Sequence, residues 1–193
     1  MLAKVDGWST CWSILHSSMR CVLGDNISQY GFREDVAFLA EPNNCGSRML
    51  LKDAEEILNC TRECRDLRHS EIAWNFEVYQ NLLEKIFRAD DCPYLVNFSL
   101  SYSASIIKEY LPTMTGSKLV DFCIYVNPGM DSNKEKDYGT QANDLSCILP
   151  MQCMNHTSYL GLAARLISAS IETKRIGDDE DNAALQIGIW QAA

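Results

Sequence analysis

The sequence predicts a mixed α/β or α+β domain in which helices pack on a central β-sheet. Three observations support this fold class: an amphipathic helical segment in the first half, two strand-like segments in the middle, and a strand-like run followed by a helix near the end. Elements of these two kinds bury their apolar faces against one another in layers. A chain of 193 residues is long enough for one domain with a sizeable core.

The first elements are predicted to be helical. Residues up to about Leu67 read as helices and loops, and the stretch DAEEILNCTRECRDL is the most helical part. In SEIAWNFEVYQNLLEKIFR, apolar residues recur at steps of three and four after Ser70, which is a good N-cap. These residues are Ile72, Phe76, Tyr79, Leu83 and Ile86. The pattern indicates an amphipathic helix of several turns.

Two strands are predicted next. The segment YLVNFSLSYS alternates strictly between apolar and polar residues, which is the period of a half-buried strand. The segment KLVDFCIYVNP is rich in β-branched and aromatic residues, and it stops at a Pro-Gly pair. Residues Gly129–Asp144 are dense in small and polar side chains and are predicted to form a long surface loop.

The last third predicts one more strand and one more helix. The run LAARLISASIETKR is apolar before it turns polar, and alternation puts Glu172 and Lys174 on the same face, with Thr173 on the other. In DDEDNAALQIGIWQAA, acidic residues precede an apolar group, as expected at a helix start where carboxylates complement the macrodipole.

Composition excludes several classes of function. The net charge of −9 argues against a protein that coats nucleic acid or an anionic membrane, although a local basic groove stays open. We expect no membrane partner, because apolar stretches are short and a signal peptide is not apparent. Nine cysteines without a CxxC pair suggest free thiols in a reducing compartment, the nucleus or cytoplasm. The sequence contains none of the common nucleotide-binding loops, and it does not support a Ser/His/Asp catalytic arrangement.

One acidic residue inside a strand points to chemistry. Asp121 lies between Val120 and Phe122, where a carboxylate is costly unless it is paired, hydrogen-bonded or bound to a metal. If the strands of Asp121 and Glu172 are neighbours, the two acids can converge on one hard cation, Mg²⁺ or Mn²⁺. Lys174 would then orient an attacking water and stabilise a phosphoryl transition state. The arrangement suggests phosphodiester hydrolysis.

The same residues carry a family resemblance. Asp121, followed at a distance by Glu172-Thr173-Lys174, resembles the PD-(D/E)XK nuclease superfamily. Four segments in order, E-x-x-W-N from Glu71, V-D-F-C, S-I-E-T-K-R and L-Q-I-G-I-W, are similar to a nuclease-like domain of fungal proteins. The resemblance covers the chain from Glu71 to its last residue.

The resemblance implies a fold, a metal and a set of roles. It implies a restriction-endonuclease-like core over residues 70–193, with a central mixed sheet flanked by helices. The sequence departs from the family pattern in stopping at Ala193, where relatives continue, so one interpretation is a C-terminally truncated core. Residues 1–69 are expected to form a helical N-terminal region packed on the same domain. Asp121 and Glu172 would bind Mg²⁺ or Mn²⁺ with help from Glu71, Lys174 would assist catalysis, and Gln186 would contact the nucleic acid, with DNA favoured over RNA. Gln186 is four residues before Trp190 and is similar to a Q-x-x-x-Y element.

Simpler interpretations remain open for each residue. Glu71 is also a typical first-turn helix acid, and Asp121 could be a strand-end carboxylate that caps a turn. Glu172 and Lys174 could form a surface ion pair contributing roughly 0–1 kcal/mol, and Gln186 could be a solvated side chain. An alternative function is a catalytically inactive nuclease-like scaffold that binds a protein or a nucleic acid. Recruitment of the site for small-molecule chemistry is a third possibility, because fold does not fix function.

Overall fold

The helices and strands begin and end close to the local signals in the sequence. The computed structural model describes residues 51–88, 94–111, 119–132, 135–174 and 180–193. The predictions for residues 1–50 lie outside the described residues, so the packing of region 1–69 on the core stays a prediction. Within the described part of that region, the predicted helix over DAEEILNCTRECRDL is confirmed.

In the described residues, helical segments come first, two strands follow, and the last three elements are a helix, a strand and a helix. The helices are α1 (Leu51–Asp66), α2 (Glu71–Trp74), α3 (Gln80–Phe87), α4 (Tyr138–Cys147) and α5 (Glu180–Ala192). A π-helical segment, Asn75–Tyr79, joins α2 to α3. The strands are β1 (Val96–Leu100), β2 (Phe122–Val126) and β3 (Leu166–Ile171). Among the described helices, none is long and apolar enough to cross a bilayer.

The three strands form an antiparallel sheet in the order β1-β2-β3. Strand β2 is central, and Cys123 in β2 lies opposite Ser170 in β3. The register shifts between Ile124 and Tyr125, so Ser168 in β3 is an extra residue without a partner opposite. Because β2 and β3 are antiparallel neighbours, the residues just before β2 and just after β3 meet at the same end of the sheet.

Helices cover both faces of this sheet, which confirms the predicted fold class. On one face, Phe98 and Phe122 pack with Leu83 of α3. On the other face, Cys123 packs in a cluster that includes Trp190 of α5. A sheet with an apolar layer on each face needs helices on both sides.

The predicted amphipathic helix exists, but its buried face differs from the prediction. Ile72, Phe76 and Ile86, which the periodicity placed on the apolar face, are 68%, 45% and 45% exposed. Asn75 and Val78 are buried instead. The hydrogen bonds of a π-helical turn run from i to i+5, which widens the turn and shifts the phase of all later residues. The change of phase brings a polar side chain, Asn75, into the interior.

The predicted surface loop over residues 129–144 is wrong in its second half. Helix α4 begins at Tyr138, because the carboxylate of Asp137 accepts hydrogen bonds from the backbone N–H and the hydroxyl of Thr140, at 2.9 and 2.6 Å. This is an N-cap of the usual kind. The helix is polar on most of its surface, and its buried residues are the small Ala142 and Ser146. A helix anchored by such small residues leaves little apolar periodicity in the sequence.

Candidate functional site

Glu71 lies at the start of the helical run that faces this end of the sheet. Ser70 is the N-cap of α2 and accepts a hydrogen bond from the backbone N–H of Ala73 at 3.4 Å. This cap starts the helix at Glu71, so that the acid stands in the first turn. Asn75 follows four residues later and therefore shares a helix face with Glu71. These two side chains point towards the strands.

Asp121 is held in place by its backbone and by its side chain. Its N–H donates to the carbonyl of Ile171 at 3.0 Å, and its carbonyl accepts from the N–H of Ser101 at 2.8 Å. Its Oδ1 accepts a hydrogen bond from Nδ2 of Asn75 at 2.8 Å. Its Oδ2 accepts from the N–H and the hydroxyl of Thr173, at 2.7 and 2.8 Å. Three donors thus fix the orientation of this carboxylate.

Glu172 and Lys174 follow directly after β3. The side chain of Glu172 is only 4% exposed, and its Oε1 accepts a hydrogen bond from Nζ of Lys174 at 2.6 Å. The same Nζ lies 3.1 Å from Oε1 of Glu71. Lys174 therefore joins the start of α2 to the end of β3. The structure brings four of the five predicted site residues together.

The cluster carries more negative than positive charge. Carboxylate oxygens of Glu71, Asp121 and Glu172 all lie within 4.8 Å of one another, beside one ammonium group. Burial raises the pKa of Glu172; the hydrogen bond from Lys174 opposes that shift, and the charge of Asp121 adds to it. Burial alone would lower the pKa of Lys174, but its hydrogen bonds to the two glutamates outweigh burial and raise it. Both pKa values are therefore shifted towards the proton-bound form, that of Glu172 chiefly by burial and that of Lys174 by its hydrogen bonds to the two glutamates and by their charges.

These residues fit a hard divalent cation. Mg²⁺ and Mn²⁺ prefer oxygen ligands, and three converging carboxylates supply them. The buried position of Glu172 and the surplus charge mean that a cation at this point would relieve repulsion. The donor set agrees with the metal that the sequence predicts.

Gln186 lies apart from the four clustered residues. It is half-buried on α5, one helical turn before Trp190 and on the same side of the helix. Trp190 is fully buried, and its Nε1 donates to Oγ of Ser170 at 2.9 Å. Trp190 is therefore a core residue that docks α5 on β3. A substrate contact by Gln186 stays a prediction.

Two residues of the site were given no role in the sequence analysis, although Asn75 lies in the E-x-x-W-N segment and Thr173 in the S-I-E-T-K-R segment. Asn75 is 6% exposed and Thr173 is 7% exposed, and both contact the carboxylate of Asp121. A signal for Asn75 existed in its four-residue spacing from Glu71. The expectation that Thr173 faces away from the site is wrong, because β3 ends at Ile171 and strand alternation does not continue beyond it.

The sheet has helices on both faces, and an acidic cluster with a lysine lies at one end of its strands. Together these features define a restriction-endonuclease-like α/β protein. A family model described as the PD-(D/E)XK nuclease superfamily matches residues 25–193. The chain belongs to this superfamily. Neither the curated proteins nor the solved structures contain a significant match.

Proposed function

We propose that the protein is a metal-dependent nuclease that hydrolyses phosphodiester bonds, with DNA favoured over RNA. The observation that carries the proposal is the convergence of Glu71, Asp121 and Glu172, with carboxylate oxygens within 4.8 Å of one another. Lys174 lies in hydrogen-bond contact with two of these acids. Membership of a nuclease superfamily also supports this proposal.

The three acids have the role of metal ligands in this proposal. Glu71, Asp121 and Glu172 would hold Mg²⁺ or Mn²⁺ through oxygen atoms. When bound, such an ion supplies Lewis-acid chemistry, polarising a phosphoryl oxygen and acidifying a water. Asn75 and Thr173 are positioning residues, because their hydrogen bonds fix the direction of the Asp121 carboxylate.

Lys174 acts as a positive charge and hydrogen-bond donor. Its pKa is raised, since the hydrogen bonds to Glu172 and Glu71 outweigh the effect of burial, so it holds its proton at neutral pH. A protonated amine cannot accept a proton from water. It can orient an attacking water and stabilise charge that develops on phosphoryl oxygens.

The first test measures cleavage by variants of the cluster. Asp121→Ala and Lys174→Ala are expected to lower Mg²⁺- or Mn²⁺-dependent cleavage at least about 100-fold, because the first removes a ligand of the metal ion and the second removes a positive charge that stabilises the transition state. The assay uses labelled single- and double-stranded DNA and matched RNA, and circular dichroism checks folding.

Matched controls remove the same side chains elsewhere. Asp144→Ala and Lys108→Ala change an exposed acid and an exposed lysine outside the cluster, and we expect wild-type cleavage rates. Wild-type protein that cleaves none of these nucleic acids with either cation would contradict the proposal. Preference for RNA over matched DNA would correct its substrate class.

A second candidate function is an inactive scaffold that binds a protein or a nucleic acid. The observation in its favour is that the cluster is paired internally: Lys174 bridges Glu71 and Glu172, and both oxygens of Asp121 accept hydrogen bonds. Calorimetric titration with Mg²⁺ separates the two functions. The nuclease predicts a binding isotherm that Asp121→Asn abolishes, whereas the scaffold predicts no Mg²⁺ binding to the wild type.

We also propose that the protein works in the nucleus or the cytoplasm. The support is chemical: Cys64, Cys123 and Cys153 are buried as free thiols, a state that a reducing compartment preserves. Imaging of a fluorescent fusion is the test. Accumulation in an oxidising compartment would contradict the proposal.

A further inference from the structure

A second cluster of metal-ligating side chains lies on the helices next to the acidic site. Cys64 of α1, His69 and Glu77 of the π-helical segment each offer a ligand atom, and these atoms lie within 4.8 Å of one another. Sγ of Cys64 is 3.7 Å from Oε2 of Glu77, and Nδ1 of His69 is 3.9 Å from Oε1 of the same residue. Glu77 thus presents one carboxylate oxygen to each neighbour.

The chemistry of this cluster differs from that of the acidic site. A thiolate, an imidazole and a carboxylate form a borderline-soft ligand set, which suits Zn²⁺, whereas three carboxylates suit Mg²⁺. We propose that Cys64, His69 and Glu77 bind one Zn²⁺ ion at a site separate from the acidic cluster. The proposal does not depend on nuclease activity.

The unmet hydrogen-bonding capacity of His69 supports the site. Nδ1 of His69 is buried and makes no hydrogen bond within the described structure, and its 3.9 Å separation from Glu77 is too long for one. Buried polar atoms are normally satisfied. A cation between the two side chains would give this nitrogen its partner.

The charges of the site also balance. Cys64 is fully buried, so a bare thiolate at this position would be costly. One thiolate and one carboxylate together neutralise a divalent ion. Burial raises the pKa of the Cys64 thiol, and the charge of Glu77 and the hydrogen bond to it raise that pKa further. Binding of Zn²⁺ at neutral pH therefore releases the thiol proton to solvent.

An open cavity gives the ion a path to the site. The cavity, of about 370 Å³, is lined by Cys64 and His69 and also by Trp74 and Lys174. Three protein ligands leave a fourth tetrahedral position for a small molecule from this space. The cavity therefore joins the proposed zinc site to the lysine of the acidic cluster.

The test uses Co²⁺ as a coloured substitute for Zn²⁺ on the full chain. We expect the wild type to show thiolate-to-cobalt absorption that one equivalent of Zn²⁺ removes. Cys64→Ser should lose this absorption and weaken Zn²⁺ binding by more than the roughly 10- to 100-fold that removal of an outer partner costs. The matched control is Cys60→Ser, one turn earlier on α1, which should keep both properties.

Two further variants keep the test decisive. Glu77→Gln changes a half-exposed side chain and leaves the buried thiol in place, so it should weaken Zn²⁺ binding even if Cys64→Ser does not fold. Asp121→Asn should leave the cobalt spectrum unchanged, which separates this site from the acidic cluster. A Cys64→Ser or Glu77→Gln protein that folds and binds Zn²⁺ as tightly as the wild type would overturn the proposal.

Discussion

Asn75 connects a helix, a strand and the segment after β3 through one side-chain amide. Its Nδ2 donates to Asp121, and its Oδ1 lies 2.7 Å from the hydroxyl of Thr173. A hydroxyl has one proton, so the proton of Thr173 is shared between Asn75 and Asp121. At the scale of single residues, the direction of the Asp121 carboxylate depends on neutral neighbours as much as on charges.

We predict that Asn75→Ala weakens Mg²⁺ binding by about 10- to 100-fold, because Asp121 loses the donor that holds Oδ1. Calorimetry measures the affinity. The control is Asn81→Ala on the same helical run, which removes a hydrogen bond to the carbonyl of Glu77 and should leave the Mg²⁺ affinity unchanged. Equal affinities for Asn75→Ala and wild type would show that Asn75 has a structural role alone.

Motif order and strand phase were enough to predict the charged residues of the site. Asp121 and Glu172 come together because β2 and β3 are neighbours, as the motif implied. Asn75 had a signal in its spacing from Glu71, but the burial of Asn75 and Thr173 required tertiary information. Asn75 becomes buried through a change of helix phase, and Thr173 turns inward where regular strand geometry stops.

The π-helical segment explains why periodicity failed at the scale of one element. Ile72 and Phe76 fit a regular α-helix, yet they are exposed, because the widened turn displaces the face that meets the sheet. A period of about 3.6 residues in the sequence does not reveal the extra residue that a π-helical turn contains. Such segments are frequent at functional sites, and here the displaced face carries Asn75.

Helix α5 docks on the sheet through Trp190, and this contact predicts a dependence of stability on pH. The ring of His156 meets Trp190 edge to face, with centroids 4.4 Å apart, and burial lowers the pKa of His156. An unfolded histidine has a pKa of roughly 6.5. Below about pH 6.5 the unfolded state binds more protons than the folded state. The contribution of neutral His156 to the free energy of unfolding is therefore complete above about pH 6.5 and decreases as the pH falls towards the folded pKa of His156.

The measurement is urea unfolding at about pH 7.5 and about pH 5.5. We expect a smaller free energy of unfolding at the lower pH for the wild type, and a smaller difference between the two values for His156→Gln. Identical pH dependence in both proteins would exclude His156 as the titrating group.

At the scale of the whole molecule, charge limits how a substrate can bind. The chain has a net charge of −9, and three of its carboxylates lie together in the acidic cluster, where a phosphate would approach under the proposed function. Simple attraction of a polyanion is therefore weak. A nuclease built on this chain depends on its divalent ion for substrate affinity as well as for chemistry, and cleavage should be strongly sensitive to chelators.

The bridge from Lys174 to Glu71 spans 103 positions of the chain. During synthesis the glutamate leaves the ribosome long before its lysine partner exists. A nascent polypeptide therefore holds an incomplete pocket until β3 has been translated and paired.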